Sequence, residues 1–174
     1  MDEITFEGRI YQRRNGRTWT YNNEVVPETL QRTLNNAWAN LKDWTSWTNI
    51  KLIEEAKNCK ESGDMFTAIR YLETVRARDP LSSDTRGMLA ILSSCYRDER
   101  INHPENSIEL YIFYKQYGNR FLTPAFLTSV GAAYLDKGDL YTARKLADHA
   151  YAMNRGTPDI SLTALYQRLR AAGM

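Results

Sequence analysis

With 174 residues, the chain is long enough for one well-buried core or two marginal ones. Hydrophobic residues make up 43% and charged residues 25%, ordinary globular usage that excludes a disordered chain. Lys and Arg number 23 against 21 Asp and Glu, too even a balance to draw nucleic acid or a membrane surface by bulk charge, and 9 Gly with 5 Pro are too few for many short strands, which tilts the chain towards helix.

The opening run from Met1 to Glu7 is acidic where a secretory leader is basic, and no apolar core follows it. The longest apolar stretches, such as Met88 to Leu92, fall far short of the ~18 residues that read as a membrane span. The chain therefore reads as cytoplasmic, without a membrane partner. Cys59 and Cys95 belong to no metal or redox spacing, and in amphipathic helices they read as small buried hydrophobes.

The first element expected is a β-hairpin. Ile4 to Arg14 and Arg17 to Val25 flank Asn15-Gly16, the strongest short-range signal for a two-residue type I′ turn. If Arg14 faces Arg17, then Gln12 opposes Trp19, Ile10 opposes Tyr21 and Phe6 opposes Val25. Side-chain alternation then gathers Phe6, Ile10, Trp19, Tyr21 and Val25 on one face, with Tyr11 on the other. So apolar a face must dock on something, because a lone hairpin is marginal. A helix beginning at Pro27 and Glu28, with Leu30, Leu34, Ala37, Trp38 and Leu41 at helical spacing, is the expected cover. Trp38, Trp44 and Trp47 supply its bulk.

From Asn49 onward helix follows helix, and the pattern repeats. The series Leu52, Ala56, Cys59, Gly63-Asp64-Met65, Ala68, Leu72, Val75 returns in the same order as Leu127, Gly131, Tyr134, Gly138-Asp139-Leu140, Ala143, Ala147, Ala150. Between them lies room for one more unit. It has Leu89, Leu92, Ser93 and Tyr96 on a first helix and Ile108, Tyr111, Phe113 and Tyr114 on a second, joined by the loop Asp98 to Pro104. A last helix follows over Asp159 to Ala171, with Ile160, Leu162, Leu165, Tyr166 and Leu169 expected inward.

These positions resemble the tetratricopeptide repeat, a helix-turn-helix unit of about 34 residues. The repeat beginning at Pro124 carries the resemblance through Leu127, Gly131, Tyr134, Gly138, Asp139, Ala143 and Ala150, with Arg155 where the family's closing proline stands. The repeat beginning at Asn49 carries it through Leu52, Ala56, Gly63, Asp64, Ala68 and Pro80; the middle one, from about Arg86, is degenerate. The expected fold is mainly α: a short solenoid of three such repeats over residues 49 to 157 with the C-terminal helix as a cap, preceded by the hairpin and capping helix of residues 1 to 48. Small residues such as Ala68, Gly131, Ala143 and Ala150 would let helices approach closely, and stacking would bury each unit's apolar face.

No catalytic or metal-binding motif is present in the sequence. His103 and His149 lie a whole unit apart, and neighbouring carboxylates such as Glu54-Glu55 diverge around their helix. The chain is read as a non-enzyme without cofactor or metal, an adaptor, chaperone-like or regulatory scaffold that binds another protein or peptide. The resemblance implies a concave groove lined by the first helix of each repeat. Its candidate residues are Ile50, Ile53, Lys57 and Lys60; then Gly87, Ala90, Ser94 and Arg97; then Ala125, Thr128 and Ala132. Family members that clamp the acidic tails of heat-shock chaperones use a set of Lys, Asn and Arg residues. Ile53, Lys57, Ala125 and Ser129 depart from that set.

Two other contacts are weighed. Arg9, Arg13, Arg14 and Arg17, interleaved with Tyr11, Trp19 and Tyr21, would suit phosphates and stacked bases. Against nucleic acid stand the inward register of Trp19 and Tyr21 and the balance of residues 1 to 48, six basic against six acidic. The edge of the hairpin is a candidate for self-association.

Overall fold

A computed structural model describes residues 2–6, 9–13, 18–44 and 46–174. Contacts divide the chain into two compact units, Met1–Leu52 and Ile53–Met174. The first carries an antiparallel sheet of four strands and the second is helical.

In the first unit, β1 (Asp2–Phe6), β2 (Arg9–Arg13), β3 (Trp19–Tyr21) and β4 (Glu24–Val25) lie side by side in chain order. The long two-stranded hairpin expected from the sequence is thus broken into a meander. One cause is visible at Asn22 and Asn23, both left-handed at φ 51° and 66°, which is the backbone a type I′ turn requires and which Asn tolerates. Tyr21 accordingly pairs with Glu24, and the chain reverses before Val25 can reach Phe6.

The register also differs from the expected one. Gln12 opposes Thr20 and Arg13 opposes Trp19, while Phe6 opposes Arg9 and Ile4 opposes Tyr11. The expected Asn15-Gly16 turn lies outside the described residues. A one-residue slip moves side chains between faces. Tyr11 is consequently buried with Ile4 and Trp19, whereas Ile10 and Val25 are exposed. The core is completed by Val26 and Leu34, with Phe6, Tyr21, Leu30, Ala37 and Trp38 packed around it.

Helix α1 (Glu28–Trp44) covers this face, as the sequence suggested. Its Gln31 acts as a substitute strand: Oε1 accepts from the Trp19 backbone N–H at 2.8 Å and Nε2 donates to the Trp19 carbonyl at 2.7 Å. Asn35, one turn on, accepts from the Trp19 indole at 2.9 Å. The most buried strand residue therefore has both its backbone and its ring satisfied.

In the second unit, α2 (Asn49–Ser62) enters from Ile53 onward. It is followed by α3 (Met65–Arg78), α4 (Ser83–Arg97), α5 (Pro104–Tyr114), a 3-10 segment (Lys115–Arg120), α6 (Pro124–Asp136), α7 (Leu140–Met153) and α8 (Ile160–Ala171). From α3 to α8 each helix packs on the next, and α4, α6 and α8 also touch in a row. Leu89, Leu92, Leu127, Val130, Ala143 and Ala147 are buried along the row and its cover.

Helix starts follow from local chemistry. Ser82, Thr123 and Asp159 accept from the backbone N–H groups of Thr85, Phe126 and Leu162, and Pro124 occupies the first turn of α6, where its missing N–H costs nothing. Ile160 is not inward as expected. It is 91% exposed because, at 100° per residue, it faces away from the buried Leu162 and Leu169. The 3-10 segment, an element the sequence pattern does not signal, is capped by Phe121, whose ring packs 5.1 Å from that of Tyr114. No helix among the described residues is long and apolar enough to cross a membrane.

Candidate binding cleft

A cleft of about 410 Å³ opens along the row of α4, α6 and α8. Each helix offers it one face. On α4 the lining residues are Ala90, Ile91, Ser94 and Arg97, on α6 Ala125, Thr128, Ser129 and Ala132, and on α8 Ser161, Ala164, Leu165 and Arg168. Each set steps along its helix by three or four residues, the interval that returns a helix to the same side, with one adjacent neighbour beside it: Ile91, Ser129 and Leu165. Lys60, from the end of α2, completes one wall, and Asp159, the cap of α8, stands at another.

Of the groove residues expected from sequence, the structure brings together Lys60, Ala90, Ser94, Arg97, Ala125, Thr128 and Ala132. It leaves out Ile53 and Lys57, on earlier turns of α2, and Gly87, which is exposed at the start of α4 with open space around it. Ile50 belongs to the first unit and is exposed. The contribution of α8 goes beyond the groove that the resemblance implies, in which this helix is only a cap. The signal was available in Ser161, Ala164 and Arg168, which repeat the small and polar spacing of Ala125, Thr128 and Ala132.

The row is held in place by bonds that leave the cleft surface small. Ser93 Oγ donates to Ser129 Oγ at 2.8 Å, and Ser107 Oγ to the Ser93 carbonyl at 2.7 Å, tying α4, α5 and α6 together through buried hydroxyls. Gly131 sets the approach of α6 to its neighbours. A Cβ there would lie 3.0 Å from Leu165 Cδ2 and 3.3 Å from the Ala143 carbonyl oxygen.

Charge in the cleft is arranged unevenly. Asp136 takes two guanidinium groups at once, Arg97 Nε donating to Oδ2 at 2.8 Å and Arg168 Nη2 to Oδ1 at 2.6 Å. One carboxylate thus links α4, α6 and α8 and leaves one positive charge in excess. Lys60 Nζ donates to Ser94 Oγ at 2.6 Å. No carboxylate lies within ion-pair distance of Lys60 among the described residues. Asp159 Oδ1 is occupied by the Leu162 N–H at 2.8 Å.

The other sequence candidates are scattered. In the first unit Arg13 donates to Asn35 Oδ1 at 3.1 Å and stacks 4.7 Å from the Trp19 ring, while Arg9 is exposed over Tyr21. Arg14 and Arg17 lie outside the described residues. The sheet edges are β1 and β4. Burial pushes both the Cys59 and Cys95 thiols up to about 11, so each stays protonated near neutral pH and is a poor nucleophile. Among the described residues no cluster of His, Cys, Asp and Glu suits a metal ion. No protein-family model, curated protein or solved structure matches the chain.

Proposed function

We propose that this chain is a non-catalytic protein-interaction module, an adaptor, chaperone-like or regulatory subunit, that holds a segment of a partner polypeptide in the cleft of α4, α6 and α8. The observation that carries the reading is the lining itself. Helices distant in sequence turn small or hydroxylated residues towards one space, among Ile91, Leu165 and the charged Lys60, Arg97, Asp159 and Arg168, with Ala90, Ala125 and Ala132 leaving room that larger side chains would fill. A cleft of about 410 Å³ falls within the usual range for ligand sites. That volume suits a few side chains of a partner chain.

The reading extends to architecture. We take the helical unit as a short solenoid similar to tetratricopeptide repeats, supported by the matching turns at Gly63-Asp64 and Gly138-Asp139 and by the row of alternate helices. The hairpin arginines draw less support as a phosphate-binding site, since Arg13 is engaged by Asn35 and Trp19.

The test fills the cleft without adding charge. Ala90→Gln with Ala125→Gln places two long neutral side chains on helix positions that favour them. Partners recovered with the tagged wild-type chain and identified by mass spectrometry are expected to drop about tenfold or more with the double variant, at unchanged circular dichroism and melting temperature. Equal recovery by the folded variant would rule the cleft out as the site.

A further inference from the structure

The charges around the cleft specify more than a shape. Lys60 presents an ammonium whose described partner is a neutral hydroxyl, Ser94 Oγ at 2.6 Å. That hydroxyl is committed in turn, because Ser94 Oγ donates to the Ile91 carbonyl at 2.7 Å. An ammonium carries three donors, so Lys60 has donors left over. Arg97 and Arg168 share the single carboxylate of Asp136, and Asp159, whose Oδ1 also caps the N-terminus of α8, brings the carboxylates to two against the three cations Lys60, Arg97 and Arg168. The cleft therefore holds uncompensated positive charge beside an aliphatic floor made by Ala90, Ala125, Ala164 and Leu165.

Partly enclosed charges act at a lower effective dielectric than surface ones, so an unmatched ammonium there favours an incoming anion. The floor beside it offers nothing to a second charged group and gains by excluding water from an apolar one. We infer that the segment bound in the cleft is an acidic-aliphatic peptide, which sets a side-chain carboxylate against Lys60 and an adjacent aliphatic side chain over Ala90, Ala125 and Leu165. This rests on the cleft being the binding site. The carboxylate is held by one lysine at the end of α2 and its hydroxyl neighbour on α4. Basic and uncharged segments are discriminated against, the first by repulsion from Lys60 and the second by leaving it unpaired.

The experiment sorts a displayed library of random short peptides on the whole chain, on Lys60→Glu, and on Ala90→Gln/Ala125→Gln, each variant first shown to melt as the wild type does. Wild-type protein is expected to enrich peptides with Asp or Glu next to Leu, Ile or Val. A synthetic peptide from that pool should bind Lys60→Glu about tenfold or more weakly, hold within about threefold on Lys60→Arg, and weaken as salt rises. Lys60→Glu should instead enrich peptides with Lys or Arg.

The two readings fail separately. Peptides that depend on Ala90 and Ala125 but show no acidic enrichment, or bind Lys60→Glu unchanged, overturn the acidic anchor and leave the cleft standing. Enriched peptides indifferent to Ala90→Gln/Ala125→Gln overturn both.

Discussion

The turn between α2 and α3 and the turn between α6 and α7 are built alike. Gly63 and Gly138 are both left-handed, at φ 88° and 82°. The Asp64 and Asp139 N–H groups donate to the carbonyls of Cys59 and Tyr134 at 2.8 and 2.9 Å. Each Asp then accepts from a threonine backbone N–H, Thr67 at 3.1 Å and Thr142 at 3.0 Å. Their surroundings differ. Arg100 lies over Gly63 and donates to its carbonyl, while Gly138 has open space around it. A difference also separates the helices that precede the turns, for α2 carries Ala56 where α6 carries Gly131. The Gly-Asp pair thus makes the turn by local chemistry alone, and the packing around it is set by neighbours far away in sequence.

The strongest way to break that equivalence is at Gly131. Because a Cβ already meets the Ala143 carbonyl oxygen at 3.3 Å and Leu146 Cβ at 3.4 Å, Gly131→Val overpacks a contact between backbones. We expect a loss of about 3 kcal/mol in urea unfolding, whereas Ala56→Gly should lose about 2 kcal/mol, from helix propensity and from the buried methyl it removes. Since Gly131 also abuts Leu165 of the cleft, peptide binding should weaken in the same variant. A stability for Gly131→Val equal to wild type would show that α6 and α7 have room to spare.

A second contrast compares the glycines themselves. An L-residue in the left-handed region costs roughly 1 to 2 kcal/mol, so Gly138→Ala should destabilise by about that much. Gly63→Ala should lose up to about 1 kcal/mol more, because the new methyl displaces the Arg100 guanidinium from the Gly63 carbonyl. In an Arg100→Ala background the extra loss should vanish, a non-additivity expected of touching groups. Equal losses at Gly63 and Gly138 in the wild-type background would mean that Arg100 contributes nothing there.

These turns were legible in the sequence because Gly-Asp before an apolar run names its own backbone and cap. The cleft was legible in part through the resemblance: the groove positions of a tetratricopeptide repeat fall on Ala90, Ser94, Arg97, Ala125, Thr128 and Ala132, which line one space in the structure. What spacing could not supply was the pairing of distant charges. Nothing local ties Asp136 to both Arg97 and Arg168, or Lys60 to Ser94. The sheet shows the converse failure. Asn15-Gly16 is the stronger motif on paper, yet the described register passes through Arg13 and Trp19, and Asn22 with Asn23 makes a turn that the longer hairpin hid. Burial of Trp19 against Gln31, Leu34 and Asn35 decides which face of β2 is inside, and that is a tertiary choice.

Removing the caps tests the shared part of the two turns. Asp64→Ala should cost about 1 kcal/mol, read as a fall in the midpoint of unfolding, and Asp139→Ala should move the midpoint the same way. Asp64→Asn and Asp139→Asn keep an accepting oxygen and should recover most of the loss. If the Ala variants melt with the wild type, the glycine alone makes the turn.

The smallest effect expected is the charge of Asp139. Its carboxyl is held below the usual carboxylate range by the Thr142 backbone N–H first and by the Thr142 side chain second. A carboxyl lowered in the folded state binds fewer protons than in the unfolded chain over the interval between the two values, so unfolding takes up a proton there. The contribution is complete above the unfolded value and fades as pH falls through the folded one. Asn at this position accepts the same hydrogen bond but has no charge to set against the positive end of α7. The wild-type midpoint should therefore exceed that of Asp139→Asn by a small margin at neutral pH, and the margin should close as the solution is acidified through the carboxylate range. A carbon-13 titration of the Asp139 carboxyl should place its midpoint below that of an ordinary aspartate. A margin that stays constant across the acid range would assign the cap to geometry alone, with the helix dipole contributing nothing.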